Sequence, residues 1–266
     1  NCKCSRPPPL RFHSREVLRK RLDMTIEFSA ATVRYRRQDQ PALNAIDFVV
    51  NEGRTVLLGP NGAGKSTLLS VAASVLRLTS GTVAVDGLAP NVGRDKKAYR
   101  RLIGWMPQRI EAITGLGVQE QVALSGWLAG MDRVAAWTAA GVTLDRLGLG
   151  DLLDRRSTRL SGGQRARMGL AQALVHDPRV VLLDEPTAAL DADQKDVFAG
   201  LLRDIGTHRT VLVSTHDVAD LSESYEQVAV MNSGKVLHQS DVATFLALGG
   251  ETGSPVEAYR AAMVSQ

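Results

Sequence analysis

Cysteine is scarce: the 266 residues hold two, Cys2 and Cys4, so no disulfide framework can organise the fold. Long apolar runs are missing. The longest, such as Val180-Val181-Leu182-Leu183, fall far short of the roughly 18 residues of a membrane span, and the chain is not expected to cross a bilayer. An excess of one charge is missing from the body. The formal +4 comes from residues 1–23, with seven Lys or Arg against two acids, which leaves the other 243 residues at −1. A near-neutral body gives little reason to expect a groove for a phosphate backbone, and no nucleic-acid partner is expected. Internal repeats are not evident. What remains is 44% hydrophobic and 23% charged residues, the composition of an ordinary globular protein large enough for a sizeable core.

Residues 1–23 combine a proline triplet with a basic cluster and read as a flexible extension. They lack the apolar stretch of about 7–15 residues that a signal peptide needs. Cys2, Cys4 and His13 fall short of the four ligands of a structural zinc site, so two free thiols are the preferred reading. From Met24 the chain alternates strand-like and helix-like runs. Strands are expected at 25–35, 45–50, 55–58, 82–86, 102–106, 180–183 and 210–214. Helices are expected at 65–76 and from about 192 to 205, the latter stopping at Gly206. Residues 228–231 and 235–239 flank Asn232-Ser233-Gly234, a hairpin signal. Alternation of this kind points to a parallel sheet covered on both faces. The helix-rich stretch at about 109–176, with breaks expected at Gly141 and Gly148–Gly150, reads as an inserted subdomain. The folded unit is expected to span 24–248, followed by a tail at 249–266.

Three motifs carry chemistry. Gly59-Pro60-Asn61-Gly62-Ala63-Gly64-Lys65-Ser66-Thr67 matches G-x-x-x-x-G-K-[ST], a loop that wraps phosphates in backbone N–H groups and sits between a strand and a helix. Lys65 would place a cation against the β and γ phosphates, and Ser66 would offer a hydroxyl to Mg²⁺. Val180–Asp184 is an apolar strand ending in a carboxylate, where Asp184 is a candidate Mg²⁺ ligand and Glu185 a candidate base for activating water. Leu160-Ser161-Gly162-Gly163-Gln164 precedes a helix running to about Val175. Ser161 would cap it, and the two glycines would leave its amides open to an anion. Taken alone, that segment is equally an ordinary Ser-Gly-Gly turn.

The ordered set of phosphate loop, LSGGQ at 160–164, VVLLDEP at 180–186, Ala189-Leu190-Asp191 and His216 resembles the nucleotide-binding subunit of ATP-binding cassette (ABC) transporters, over roughly residues 25–240. The resemblance implies an α/β fold of the P-loop NTPase class: a RecA-like parallel core, an antiparallel β subdomain and an inserted α-helical subdomain. It implies ATP and Mg²⁺ as ligands. It also implies that Tyr35 stacks on adenine, that Gln108 senses Mg²⁺ and the attacking water, that His216 contacts the γ-phosphate, and that Asp191 reports across a dimer. The same Asp191 is also a natural cap for the helix after it.

Each site would then take its phosphate loop from one chain and residues 161–164 from a second cassette, identical or homologous. A separate transmembrane permease would dock on the helical block, placing the protein in the cytoplasm at the inner face of the membrane. Residues 116–121, Gly130 and 167–174 look more like exporter than importer cassettes. The competing class is a soluble ABC ATPase acting on ribosomes or DNA, which usually carries two cassettes, long coiled coils or zinc modules.

Overall fold

The computed structural model describes residues 24–36, 39–205, 208–221, 224–250 and 253–264. The basic segment 1–23 with Cys2, Cys4 and His13, and Gly206 as a helix stop, lie outside the described residues.

The β-branched and leucine-rich runs pair into two sheets. Strands β1 (Ile26–Val33), β2 (Leu43–Val50) and β4 (Ser80–Val85) form an antiparallel sheet in the order β2-β1-β4. Alternate residues of β1 and β2 point inward on either side of a register shift, and Phe28 stacks on Phe48 with ring centroids 6.1 Å apart. The larger sheet has the order β5 (Ile103–Met106), β6 (Val180–Asp184), β7 (Thr210–Thr215), β3 (Gly53–Leu58), β8 (Gln227–Asn232), β9 (Lys235–Asp241). Its pairs are parallel except the β8–β9 hairpin, which turns at Ser233 and Gly234 with φ of 47° and 74°. Every residue of β6 and β7 is buried. That explains the consecutive apolar residues Val180–Leu183 and Val211–Val213, because helices or the small sheet cover both faces.

Successive residues of the central strands feed two cores. Val181, Leu183, Val211 and Val213 pack toward the helical side, while Val180, Leu182, Leu212 and Ala229 pack toward the antiparallel sheet and helix α1 (Lys65–Ala72). The helical side consists mainly of α3 (Val118–Leu128), α4 (Arg133–Arg146), α5 (Gly162–Leu174) and α6 (Ala192–Ile205).

Several boundaries differ from the sequence reading. Helix α1 ends at Ala72, short of Leu76, and Ser74 adopts φ 59° just beyond it. Helix α2 (Lys96–Leu102) precedes β5 where no helix was expected. The expected break at Gly141 does not occur, because that glycine lies inside α4. The chain breaks instead after α3, where Gly130 has φ 97° and the Asp132 carboxylate accepts from Val134 N and Ala135 N at 2.9 and 3.1 Å. A left-handed glycine followed by a capping aspartate outweighs a mid-helix glycine. The C-terminal stretch is not a bare tail. After α7 (Val242–Ala247), helix α8 (Pro255–Val264) buries Ala258 and Ala262 against the core. Its proline at the first helical position and its alanines four apart are the local signals.

Candidate functional site

Topology brings the motifs together. Strands β6, β7 and β3 are consecutive neighbours in the sheet, and adjacent strands lie about 4.8 Å apart. The loops leaving their C-terminal ends therefore share one rim, which is where ligands bind in open α/β sheets. The phosphate loop follows β3, Asp184 and Glu185 follow β6, and His216 follows β7.

The phosphate loop needs its glycines. A Cβ on Gly59 would sit 2.3 Å from the Met231 carbonyl oxygen, and Gly64 has φ 105° with the Ala42 carbonyl oxygen 2.5 Å from a would-be Cβ. The loop curls around the side chain of Lys65, which is 4% exposed and donates to the carbonyls of Gly59 and Pro60 at 2.7 and 3.1 Å. Its ammonium lies 3.6 Å from Glu185 Oε1. Burial pushes the Lys65 ammonium below the ordinary lysine value, against the opposing pull of Glu185 and Asp184.

Asp184 Oδ1 accepts from Ser66 Oγ at 3.1 Å and from Ser214 Oγ at 2.6 Å. Glu185 N donates to both Ser214 Oγ, at 3.0 Å, and Ser214 O, at 3.1 Å. These two bonds hold Glu185 at φ 46°, a left-handed backbone that costs a non-glycine residue about 1–3 kcal/mol and clusters at functional sites. The Glu185 side chain, 8% exposed, is the hub: Gln108 Nε2 donates to its Oε2 at 3.0 Å, and His216 Nδ1 lies 3.2 Å from the same oxygen.

A cleft of about 930 Å³ opens over this rim, lined by Tyr35, the phosphate loop from Asn61 to Thr67, Gln108, Glu185, Ala188, His216 and the Ser233-Gly234 turn. Tyr35 is 39% exposed, and its hydroxyl lies 3.3 Å from Thr67 Oγ1. The oxygen donors Ser66 Oγ and Asp184 suit a hard cation such as Mg²⁺. Among the described residues no group of three or more His, Cys, Asp or Glu forms a metal cage, so such an ion would rely on substrate oxygens as well.

Two segments stay apart from the cleft. Residues 160–164 do not line it. Ser161 Oγ accepts from Gln164 N at 3.3 Å while Gln164 Oε1 accepts from Ser161 N at 3.0 Å, a reciprocal cap that opens α5. Ser161 and Gly162 are exposed. Asp191 is also exposed and caps α6, accepting from Gln194 N at 2.9 Å.

Sequence reasoning missed Ser214, whose hydroxyl links Asp184 to Glu185. It also missed Asp220, whose carboxylate ties three segments behind the rim. Both are ordinary polar residues whose partners lie distant in sequence or beside a turn, so no spacing announces them.

The model of the ABC transporter family matches residues 43–188. The chain is 37% identical over 203 residues to an uncharacterized ABC transporter ATP-binding protein of Bacillus subtilis, covering 76% of this chain and 66% of that protein. It is 35% identical over 241 residues to a sulfate/thiosulfate import ATP-binding protein of Mycobacterium tuberculosis, covering 90% of this chain and 64% of that one. This chain thus spans somewhat under two thirds of the length of these curated relatives. A bacterial ABC transporter cassette solved as a dimer superposes with a TM-score of 0.73 at 27% identity, over 81% of this chain and 98% of that one. The same cassette has been solved in a post-hydrolysis state bound to ADP and Pi, with the same agreement. A phosphate loop, a paired acid strand and a glutamate hub on one sheet rim, with a family match over more than half its residues, place this protein: it belongs to the ABC transporter family and carries its ATP-binding cassette.

Proposed function

We propose that the chain binds and hydrolyses ATP to power transport through a separate membrane permease. The observation that carries this reading is the convergence on Glu185: one carboxylate reached by Lys65, Gln108 and His216 beside the Ser66–Asp184 pair. In this reading the amides of residues 61–66 and the Lys65 ammonium hold the phosphates, and Tyr35 stacks on the base. Ser66 and Asp184, with the amide oxygen of Gln108, would hold Mg²⁺, which neutralises charge on the β and γ oxygens when bound. Glu185 takes the proton from the attacking water, and His216 and Gln108 orient that carboxylate. A positioned base contributes about 10²–10⁴ in rate, so Glu185→Gln is expected to cut turnover by that factor while leaving ATP binding largely intact. Phosphate release from MgATP by the purified chain tests the reading; no release from the wild type, or equal release by Glu185→Gln, contradicts it.

Ser161 and Gly162 are exposed and residues 161–164 lie outside the cleft, which supports a site completed by a second cassette, identical or homologous. The dimeric neighbour supports it too. No helix among the described residues is long and apolar enough to cross a membrane. In the helical block at about 109–176, α3 and α4 line an apolar groove of about 860 Å³ with Leu116, Leu124, Trp127, Val134 and Trp137. Trp127 is 56% exposed and Val134 73%. We assign this groove to a short helix of the permease. Trp127→Glu is expected to abolish co-purification with the cognate permease while sparing ATP hydrolysis.

On direction, residues 116–121, Gly130 and 167–174 support export. Uptake is the second reading, favoured by the sulfate/thiosulfate and methionine import proteins among the relatives. Transport by the reconstituted pair in vesicles with ATP outside separates them: loss of cargo to the ATP side would contradict export. Transporter proteins among the relatives give no support to a soluble role on ribosomes or DNA.

A further inference from the structure

His216 sits on the rim with a side chain 45% exposed, and its polar partner among the described residues is Glu185. A half-exposed ring takes much of its direction from the backbone that carries it. That backbone is tethered by residues the hydrolytic chemistry does not use. Asp220 Oδ2 accepts from Thr215 Oγ1 at 2.8 Å and from Thr187 Oγ1 at 2.9 Å, while its Oδ1 accepts from Lys195 Nζ at 2.8 Å. Thr215 immediately precedes His216, and its hydroxyl also accepts from Asp217 N at 3.1 Å. Asp217 in turn accepts from Lys195 Nζ at 3.1 Å. Thr187 lies two residues beyond Glu185, and Lys195 stands one turn into the helix that Asp191 caps.

We infer that Asp220 is a positioning residue for hydrolysis: its carboxylate clasps the segments that carry Glu185, His216 and Asp191 into one register. The clasp is well sheltered, with the Asp220 side chain 11% exposed and Thr215 buried. The bond to Asp220 is also the main influence holding the Lys195 ammonium above the ordinary lysine value. The short turn Val218–Asp220 also packs against α8. Both carboxylate oxygens of Asp220 already accept from protein donors, whereas Ser66 and Ser214 donate to the same oxygen of Asp184. The inference rests on the roles given above to Glu185 and His216.

Steady-state hydrolysis by the full chain tests it. A small misplacement of a catalytic group costs up to about 100-fold in rate, so Asp220→Ala is expected to lower kcat by about 10- to 100-fold with KM within about 2-fold of wild type. Asp220→Asn keeps an oxygen that both threonine hydroxyls can reach and is expected to recover most of the lost kcat. Thr187→Val, which removes one arm at constant volume, is expected to lower kcat less, and to add nothing when combined with Asp220→Ala. Wild-type kcat in Asp220→Ala overturns the inference. So does a loss of ATP affinity parallel to the loss of kcat, which marks a merely structural role. If Asp220→Ala does not fold, full kcat in Thr187→Val overturns it. A wild-type chain that releases no phosphate overturns the functional reading and this inference together, whereas an active wild type equalled by Asp220→Ala overturns this inference alone.

Discussion

The strand end at Asp184–Glu185 and the turn at 160–164 are both motifs of a few residues, yet they sit in opposite surroundings. The first is buried and bonded from four sides: by Ser66 and Ser214 at Asp184, and by Gln108 and Lys65 at Glu185, with His216 at the mouth. The second spends its polar groups on its own helix cap and leaves Ser161 and Gly162 exposed, with Leu160 and Gly163 buried beneath them. The difference teaches that, on the proposed reading, one chain assembles the phosphate and water-handling half of the site from within. The proposed partner cassette would supply the other half. Glycines tell the same story. A Cβ on Gly59 would strike backbone, while one on Gly163 would meet the movable side chain of Gln194 at 2.7 Å.

That contrast can be broken or sharpened by substitution. The largest effect on the inward half, after Glu185→Gln, is expected from Lys65→Ala. Charge-assisted bonds contribute about 1.5–3 kcal/mol, so ATP affinity of the isolated chain should fall by roughly 10- to 100-fold in a fluorescent-nucleotide titration. Ser214→Ala comes next. It removes a buried hydroxyl that serves both Asp184 and Glu185, and leaving those partners short should cost about 1–3 kcal/mol in urea unfolding. On the outward half, Ser161→Ala should cost only the helix cap, about 1 kcal/mol in the same assay. Its effect on ATP affinity of the isolated chain should stay within about 2-fold, the scale of a distant surface change. A large affinity loss in Ser161→Ala would erase the distinction between the halves.

Much of this organisation is legible in the sequence because its signals are local. The glycines and lysine of 59–67, the acid pair after four apolar residues, and the Ser-Gly-Gly before a helix each declare themselves within ten positions. The hairpin at 232–234 does so as well. Less legible is whatever depends on distant partners. Ser214 reads as one more residue of a buried strand until β7 lies beside β6. Asp220 reads as a surface acid until Thr187, Lys195 and Thr215 close on it. Gly141 reads as a helix break because composition does not reveal that α4, capped by Asp132 nine residues earlier, runs through it. The exposure of Trp127 and Trp137 is likewise invisible in one dimension, since either could have been core.

The central claim, that the 160–164 turn serves a nucleotide held by another chain, is tested most directly with Gly162→Asp. Gly162 is exposed, and an added Cβ meets nothing closer than the Ala189 carbonyl oxygen at 3.5 Å. An acid in the first turn of a helix is tolerated or mildly stabilising, so the fold should survive. It would, however, put a carboxylate where a phosphate is expected. Loss of such a preorganised anion site costs about 10²–10³ in turnover. The account predicts a drop of about that size with ATP affinity and melting temperature of the isolated chain unchanged. Wild-type turnover in Gly162→Asp would contradict it.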